Sequence, residues 1–174
     1  MSRTAERETR RNDAFTAVFD ANWARVRHHV EGAVEHDSEV TEIVSEVFLL
    51  AWTRLNPAKP MDGIWLLRAA DRVLRGRSGR TIVRRRALET VHRGFVEDDR
   101  DPDLTQRARA LSALAALSGR ERRIIMLTYW DGLGVGEIAQ MLRMPRSRVR
   151  RILGRARDRM HSELEREKRA GDDD

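Results

Sequence analysis

The residues of this chain best equipped for chemistry are its arginines. Between Arg143 and Arg159 eight arginines face a single acid, Asp158, in a chain whose net charge is only +6. A guanidinium is a planar fork of donors that fits phosphate oxygens and the major-groove edge of guanine. Codon usage in a GC-rich genome would explain a general excess of arginine over lysine, since Lys59 and Lys168 are the only lysines. It does not explain the crowding of arginines on one segment. Val149, Leu153, Ala156 and Met160 recur there at helical spacing and mark a buried seam. Arg146, Ser147, Arg150, Arg151, Gly154 and Arg157 fall away from that seam. In the first turns Arg146, Ser147, Arg148, Arg150 and Arg151 are placed to reach base edges, whereas Arg155 and Arg157, further along, suit phosphates.

Other chemistry is poorly supplied. There is no cysteine, which removes disulfides, thiolate metal sites and cysteine nucleophiles. His28 and His29 are adjacent and so diverge on a helix, and His36, His92 and His161 are scattered. No histidine pair shares ligand spacing with a carboxylate, so no metal is expected. Asp99, Asp101 and Asp103 alternate like the start of a calcium loop. Leu104 then stands where the loop needs glycine and Ala110 where it needs glutamate, so the run reads as solvated linker. No nucleophile is paired with a base and no glycine loop could cradle a phosphate. The chain is expected to be no enzyme and to need no cofactor. Its first residues, MSRTAERETRRNDA, lack the apolar stretch of a secretory signal. The longest apolar run, Val47 to Trp52, is too short to span a bilayer. No membrane insertion and a cytoplasmic location are expected.

The elements that must carry the arginines read as helices throughout. Proline is rare and charged residues make up 36% of the 174. Phe15, Val18, Phe19, Trp23, Val26 and Val30 predict a helix from Asp13 to about Val34. Val40, Val44, Val47, Phe48, Ala51 and Leu55 predict a second, starting at an Asp37 or Ser38 cap and stopped by Asn56-Pro57. Trp65, Leu66, Ala69, Val73 and Leu74 predict a third from Ile64 to about Arg75. Trp23 and Trp130 read as core. Periodicity then fades from Thr81 to Asp103, where a short helix near Ile82 to Val91 fits, and the charged run Glu97 to Asp103 reads as a connector. Beyond it Leu111, Leu114 and Leu117 form a stripe, and Ser118 with Glu121 forms a capping box. Asp131-Gly132 ends the helix that follows. A short helix from Gly134 to Leu142, with Pro145 in the first turn of the next, completes a helix-turn-helix. The fold class is therefore all-α: two small helical domains, 12–80 and 107–168, joined by a charged linker at 81–106.

Helix, turn and arginine-rich helix fit a major groove. Leu117 to Met160 also resembles the promoter-binding domain of bacterial sigma factors of the extracytoplasmic-function group, through ALAALSGRERRIIML, DGLGVGEIAQML and RVRRILGRARDRM. Independently, IVSEVFLLAWTRL (Ile43 to Leu55) and IWLLRAA (Ile64 to Ala70) are similar to two helices of that family's N-terminal domain. The resemblance implies an initiation factor that directs RNA polymerase core enzyme to promoters. Its partners would be the polymerase, through the β′ clamp and also β, promoter DNA, and an anti-sigma inhibitor. It implies clamp docking through the acidic row Glu39, Glu42 and Glu46, continued by Leu49. It assigns capture of the melted downstream strand to the third helix and the loop before it, where Asn56, Lys59, Arg68, Arg72, Arg75 and Arg77 are candidates. The sequence departs from the family there: AADRVLRG places Asp71-Arg72 where Arg-Asn is usual, and the loop NPAKPMDG has no aromatic to receive an unstacked base. Gly134 stands where a serine or threonine cap is common. Two alternatives remain at this stage. LSGRER with EIAQML also resembles the output domain of response regulators, which would require alternating strands and helices upstream. A helical adaptor that binds polymerase without reading DNA would leave the arginine helix unused.

Overall fold

A computed structural model describes residues 3–77, 85–95 and 104–172. They form eight helices: α1 Arg3–Glu31, α2 Asp37–Arg54, α3 Gly63–Arg77, α4 Arg85–Arg93, α5 Leu104–Ala115, α6 Gly119–Tyr129, α7 Val135–Leu142 and α8 Arg146–Asp172. No strand occurs among the described residues; a lone bridge joins Asn56 to Lys59. The fold is all-α, as the periodicity predicts. The chain separates into two compact units, Met1–Ile82 and Val83–Asp174.

The first unit packs α1, α2 and α3 pairwise. Its core is Val26, Val30, Val40, Ile43, Val47, Phe48, Ala51, Leu66, Leu67, Ala70 and Val73. α1 starts at Arg3, ten residues before the predicted start at Asp13. The extra turns are built of good helix formers, and Arg11 fixes them. Its Nη2 donates to the Trp52 carbonyl at 2.8 Å, and its guanidinium lies 4.4 Å from the Trp52 ring centre. α2 begins at Asp37 with His36 as its N-cap, so Asp37 lies in the first turn, where its charge favours the helix dipole. Asp62 caps α3 by accepting from the Ile64 amide at 3.0 Å. α3 can approach α1 there because residue 63 is glycine: a Cβ would sit 2.6 Å from Asn22 Oδ1. Further along, His29 Nε2 and Asp71 Oδ1 meet at 3.1 Å between α1 and α3. The family departure at residue 71 thus has an interior role.

Trp23 is not core. It is 40% exposed, although Val26 and Val30 on the same stripe are buried. Arg27 lies over its ring at 5.7 Å.

The second unit holds α4 to α8. The segment expected to be linker contains α4, whose Ala87, Leu88 and Val91 are buried. Glu89 on α4 pairs with Arg107 on α5 at 3.1 Å. The acidic run at 97–103 lies outside the described residues. Leu114 and Leu117 of the expected stripe are buried, together with Ala110 and Ala113, while Leu111 is half exposed. Arg122 secures the end of α5. Its Nε donates to the Leu114 carbonyl at 2.9 Å, and its Nη2 reaches the carbonyls of Ala115 and Leu117 at 3.3 and 3.2 Å. Orphan helix carbonyls are satisfied this way. No helix of the described residues is long and apolar enough to cross a membrane.

Candidate nucleic-acid interface

The predicted capping box at α6 forms. The Glu121 amide donates to Ser118 Oγ at 3.3 Å, and the Ser118 amide donates to Glu121 Oε2 at 3.0 Å. Burial alone would push the Glu121 carboxyl up. The Ser118 amide and hydroxyl, with Arg159 and Arg155 nearby, outweigh it and hold the pKa below the usual carboxylate range. At the other end Gly132 takes φ +66°, as the Asp131-Gly132 stop predicts, and Trp130 is buried. α7 has half a box: Glu137 Oε2 accepts from the Gly134 amide at 3.0 Å, and glycine offers nothing in return. α7 then ends in the left-handed region at Arg143, φ 53° and ψ 50°. The Met144 amide returns to the Ala139 carbonyl at 3.0 Å. The chain turns through Arg143, Met144 and Pro145 into α8.

On α8 the seam is Val149, Ile152, Leu153, Ala156 and Met160, all buried. With about 100° per residue, the arginines divide into two flanks and a crest. Arg146, Arg150 and Arg157 share one flank, and Arg148, Arg155 and Arg159 the other. Ser147 and Arg151 lie between, opposite the seam. Arg146, Ser147, Arg148, Arg150, Arg151 and Arg155 are all exposed. Among the described residues no hydrogen bond or ion pair engages Arg146, Arg148, Arg150 or Arg151. Arg159 differs: its Nη1 binds Glu121 Oε2 at 3.0 Å. Arg157 differs too, donating from Nε to the Tyr129 hydroxyl at 3.0 Å. The sequence patterns did not single out Tyr129 or Glu121 as partners of this face, because both pairings span long sequence separations.

In the first unit Arg68, Arg72 and Arg75 fall on one stripe of α3 by the same rotation rule. Arg77 falls on the opposite side. Its Nη1 binds Glu42 at 2.8 Å and its Nη2 binds Glu46 at 2.9 Å. The hydrogen bond to Glu42, then that to Glu46, raises its pKa further. A residue expected to capture DNA and two expected to dock polymerase are thus paired with one another. Glu39 is half exposed and Leu49 is 65% exposed on the same helix. Lys59 and Asn56 stand exposed in the turn before α3, where the Asn56 side chain accepts from the Ala58 amide at 3.0 Å.

A three-helix unit and a second unit ending in a helix-turn-helix with an open arginine face define a helical DNA-binding transcription factor. Residues 3–77 hold three helices and no strand, which removes the receiver architecture. Residues 113–161 match the family Sigma-70, region 4. Over 154 residues the chain is 27% identical to the ECF RNA polymerase sigma factor SigK of Mycobacterium sp. (strain KMS), covering 82% of this chain and 77% of that one. The same figures hold for the RNA polymerase sigma factor SigK of Mycobacterium sp. (strain MCS). The fold is similar to CnrH, solved in complex with the cytosolic domain of CnrY, with a TM-score of 0.55, 22% identity, and coverage of 90% of this chain and 96% of that one. Residues 113–161 thus match a sigma-factor promoter-binding region, and over most of its length the chain is similar to bacterial RNA polymerase sigma factors of the extracytoplasmic-function family.

Proposed function

We propose that the chain works through two separate faces, one for the polymerase and one for the upstream promoter element. The observation that carries this reading is the open arginine face of α8 within the matched region 4. Arg146, Ser147, Arg150 and Arg151 would read base edges, and Arg148 and Arg155 would hold phosphates along the groove walls. Residues 107–168, with α4 packed beneath them, serve the upstream element, and residues 12–80 serve the polymerase and the downstream element.

The polymerase face is the α2 row Glu39, Glu42, Glu46 and Leu49. Its acids suit a cationic, partly apolar partner on the β′ clamp. Arg77 already occupies two of those acids, so docking exchanges an internal cation for an external one. Exposed ion pairs contribute little, which keeps that exchange easy. The chemistry of RNA synthesis belongs to the polymerase, and this chain contributes none. It acts in the cytoplasm, and an anti-sigma protein is its expected regulator.

Footprinting of the polymerase complex tests the division. Arg150→Ala with Arg151→Ala should erase upstream protection while the complex still forms. Glu42→Lys with Glu46→Lys should prevent the complex from forming. Upstream protection that survives the arginine double substitution would refute the assignment of α8.

A further inference from the structure

Tyr129 closes α6 beside the arginine helix. Its hydroxyl accepts from Arg157 Nε at 3.0 Å, and the guanidinium carbon lies 5.8 Å from the ring centre. The ring is held from other directions as well. Phe95 packs on it with centroids 4.7 Å apart. A Cβ on Gly94 would come within 2.3 Å of it, so the backbone after α4 presses directly against the ring. Phe95 in turn meets His161, one turn beyond Arg157 on α8, edge-on at 5.1 Å. The phenol is a rigid post, and it engages only the inner nitrogen of the guanidinium. Arg157 is exposed, and among the described residues nothing bonds its two terminal nitrogens. It stands on the flank of Arg146 and Arg150, seven residues or about 10 Å beyond Arg150.

The geometry points to Tyr129 as a positioning residue for DNA binding: it pre-orders Arg157 as a phosphate clamp at the far end of α8 and touches no DNA itself. This rests on the reading of α8 as the DNA-reading helix. A long side chain that must be immobilised on contact loses rotamer freedom, and Arg157 has lost much of it already. Tyr129 carries no charge, so it alters affinity without altering the number of counterions released.

The test uses the full chain reconstituted with core RNA polymerase, titrated onto a promoter duplex across a salt series. Tyr129→Phe keeps the ring against Phe95 and Gly94 and removes only the hydroxyl. It should weaken binding about two- to tenfold, equally on intact and mutated upstream elements, with the salt slope unchanged. Arg157→Ala should weaken binding and lower the slope by about 1. Arg157→Lys keeps the charge but lacks the inner N–H, and it should behave as Tyr129→Phe does. The double variant Tyr129→Phe, Arg157→Ala should match Arg157→Ala alone. Wild-type affinity for Tyr129→Phe, a changed slope, or an equal loss in the Arg157→Ala background would each overturn the proposal. An Arg157→Ala variant with unchanged affinity and slope would also overturn it. Arg150→Ala in the same assay reports separately whether α8 reads DNA at all.

Discussion

Arg77 and Glu42 meet at 2.8 Å between the end of α3 and the middle of α2, and the same guanidinium reaches Glu46 on the next turn. The pairing orders the acidic row and at the same time occupies it. Glu42→Lys with Glu46→Lys should abolish co-purification with core polymerase while helicity by circular dichroism is retained. Arg77→Ala removes the internal competitor, so it should bind core at least as tightly as wild type. Weaker core binding by Arg77→Ala would mean that Arg77 itself contacts the polymerase.

Glu121 gives the second unit a defined response to acid. Its folded pKa lies below the unfolded value, so its contribution is present above the unfolded value of about 4.3 and is lost as pH falls through the folded one. Thermal melts of wild type and Glu121→Gln should differ near neutrality and converge as pH is lowered below about 4. Ser118→Ala, which removes the other half of the box, should cost about 1 kcal/mol. A Glu121→Gln melt that matches wild type at neutral pH would show that the charge on Glu121 contributes nothing.

The turn between α7 and α8 places Arg143 where glycine is favoured, at φ 53°. Arg143→Gly should therefore raise stability, by up to about 1 kcal/mol. Gly132→Ala, at φ +66°, should lower it by about 1 kcal/mol. Chemical denaturation of the two variants checks both signs, and opposite signs are expected.

Much of this was legible in the sequence, and the gaps have physical causes. The α8 seam could be read because Val149, Leu153, Ala156 and Met160 recur every third or fourth residue among arginines; Ile152, buried beside them, fell outside that spacing. The Ser118–Glu121 box and the Gly132 stop could be read because they are local chemistry. α4 was only faintly visible, since Ala87, Leu88 and Val91 make a stripe of little more than one turn amid charges. Trp23 read as core because it continues a periodic stripe, and periodicity does not reveal where the neighbouring helices stop covering it. The partners of Arg77, Arg157 and Arg159 lie 28 to 38 residues away in sequence. No spacing rule reaches that far, so three arginines that looked alike proved to be tied.

Arg150 and Arg155 lie on opposite flanks of α8, and the proposed reading gives them different roles, base reading for Arg150 and phosphate holding for Arg155. Arg150→Ala should relax preference at one or two positions of the upstream element, with a loss of about 1–3 kcal/mol of discrimination. Arg155→Ala should weaken binding about equally on all sequences and lower the salt slope by about 1. Binding titrations on intact and singly mutated promoters distinguish the two. Identical behaviour of the two variants would mean that α8 grips DNA by charge alone.

Transcription in vitro tests the account most directly. Core RNA polymerase is supplied with a library of genomic promoters, with and without the chain, and transcript starts are mapped. A defined set of starts sharing an upstream element should appear only when the chain is present, and it should vanish with Glu42→Lys plus Glu46→Lys. The same starts at the same levels with and without the chain would contradict its role as the factor that gives the polymerase its promoters.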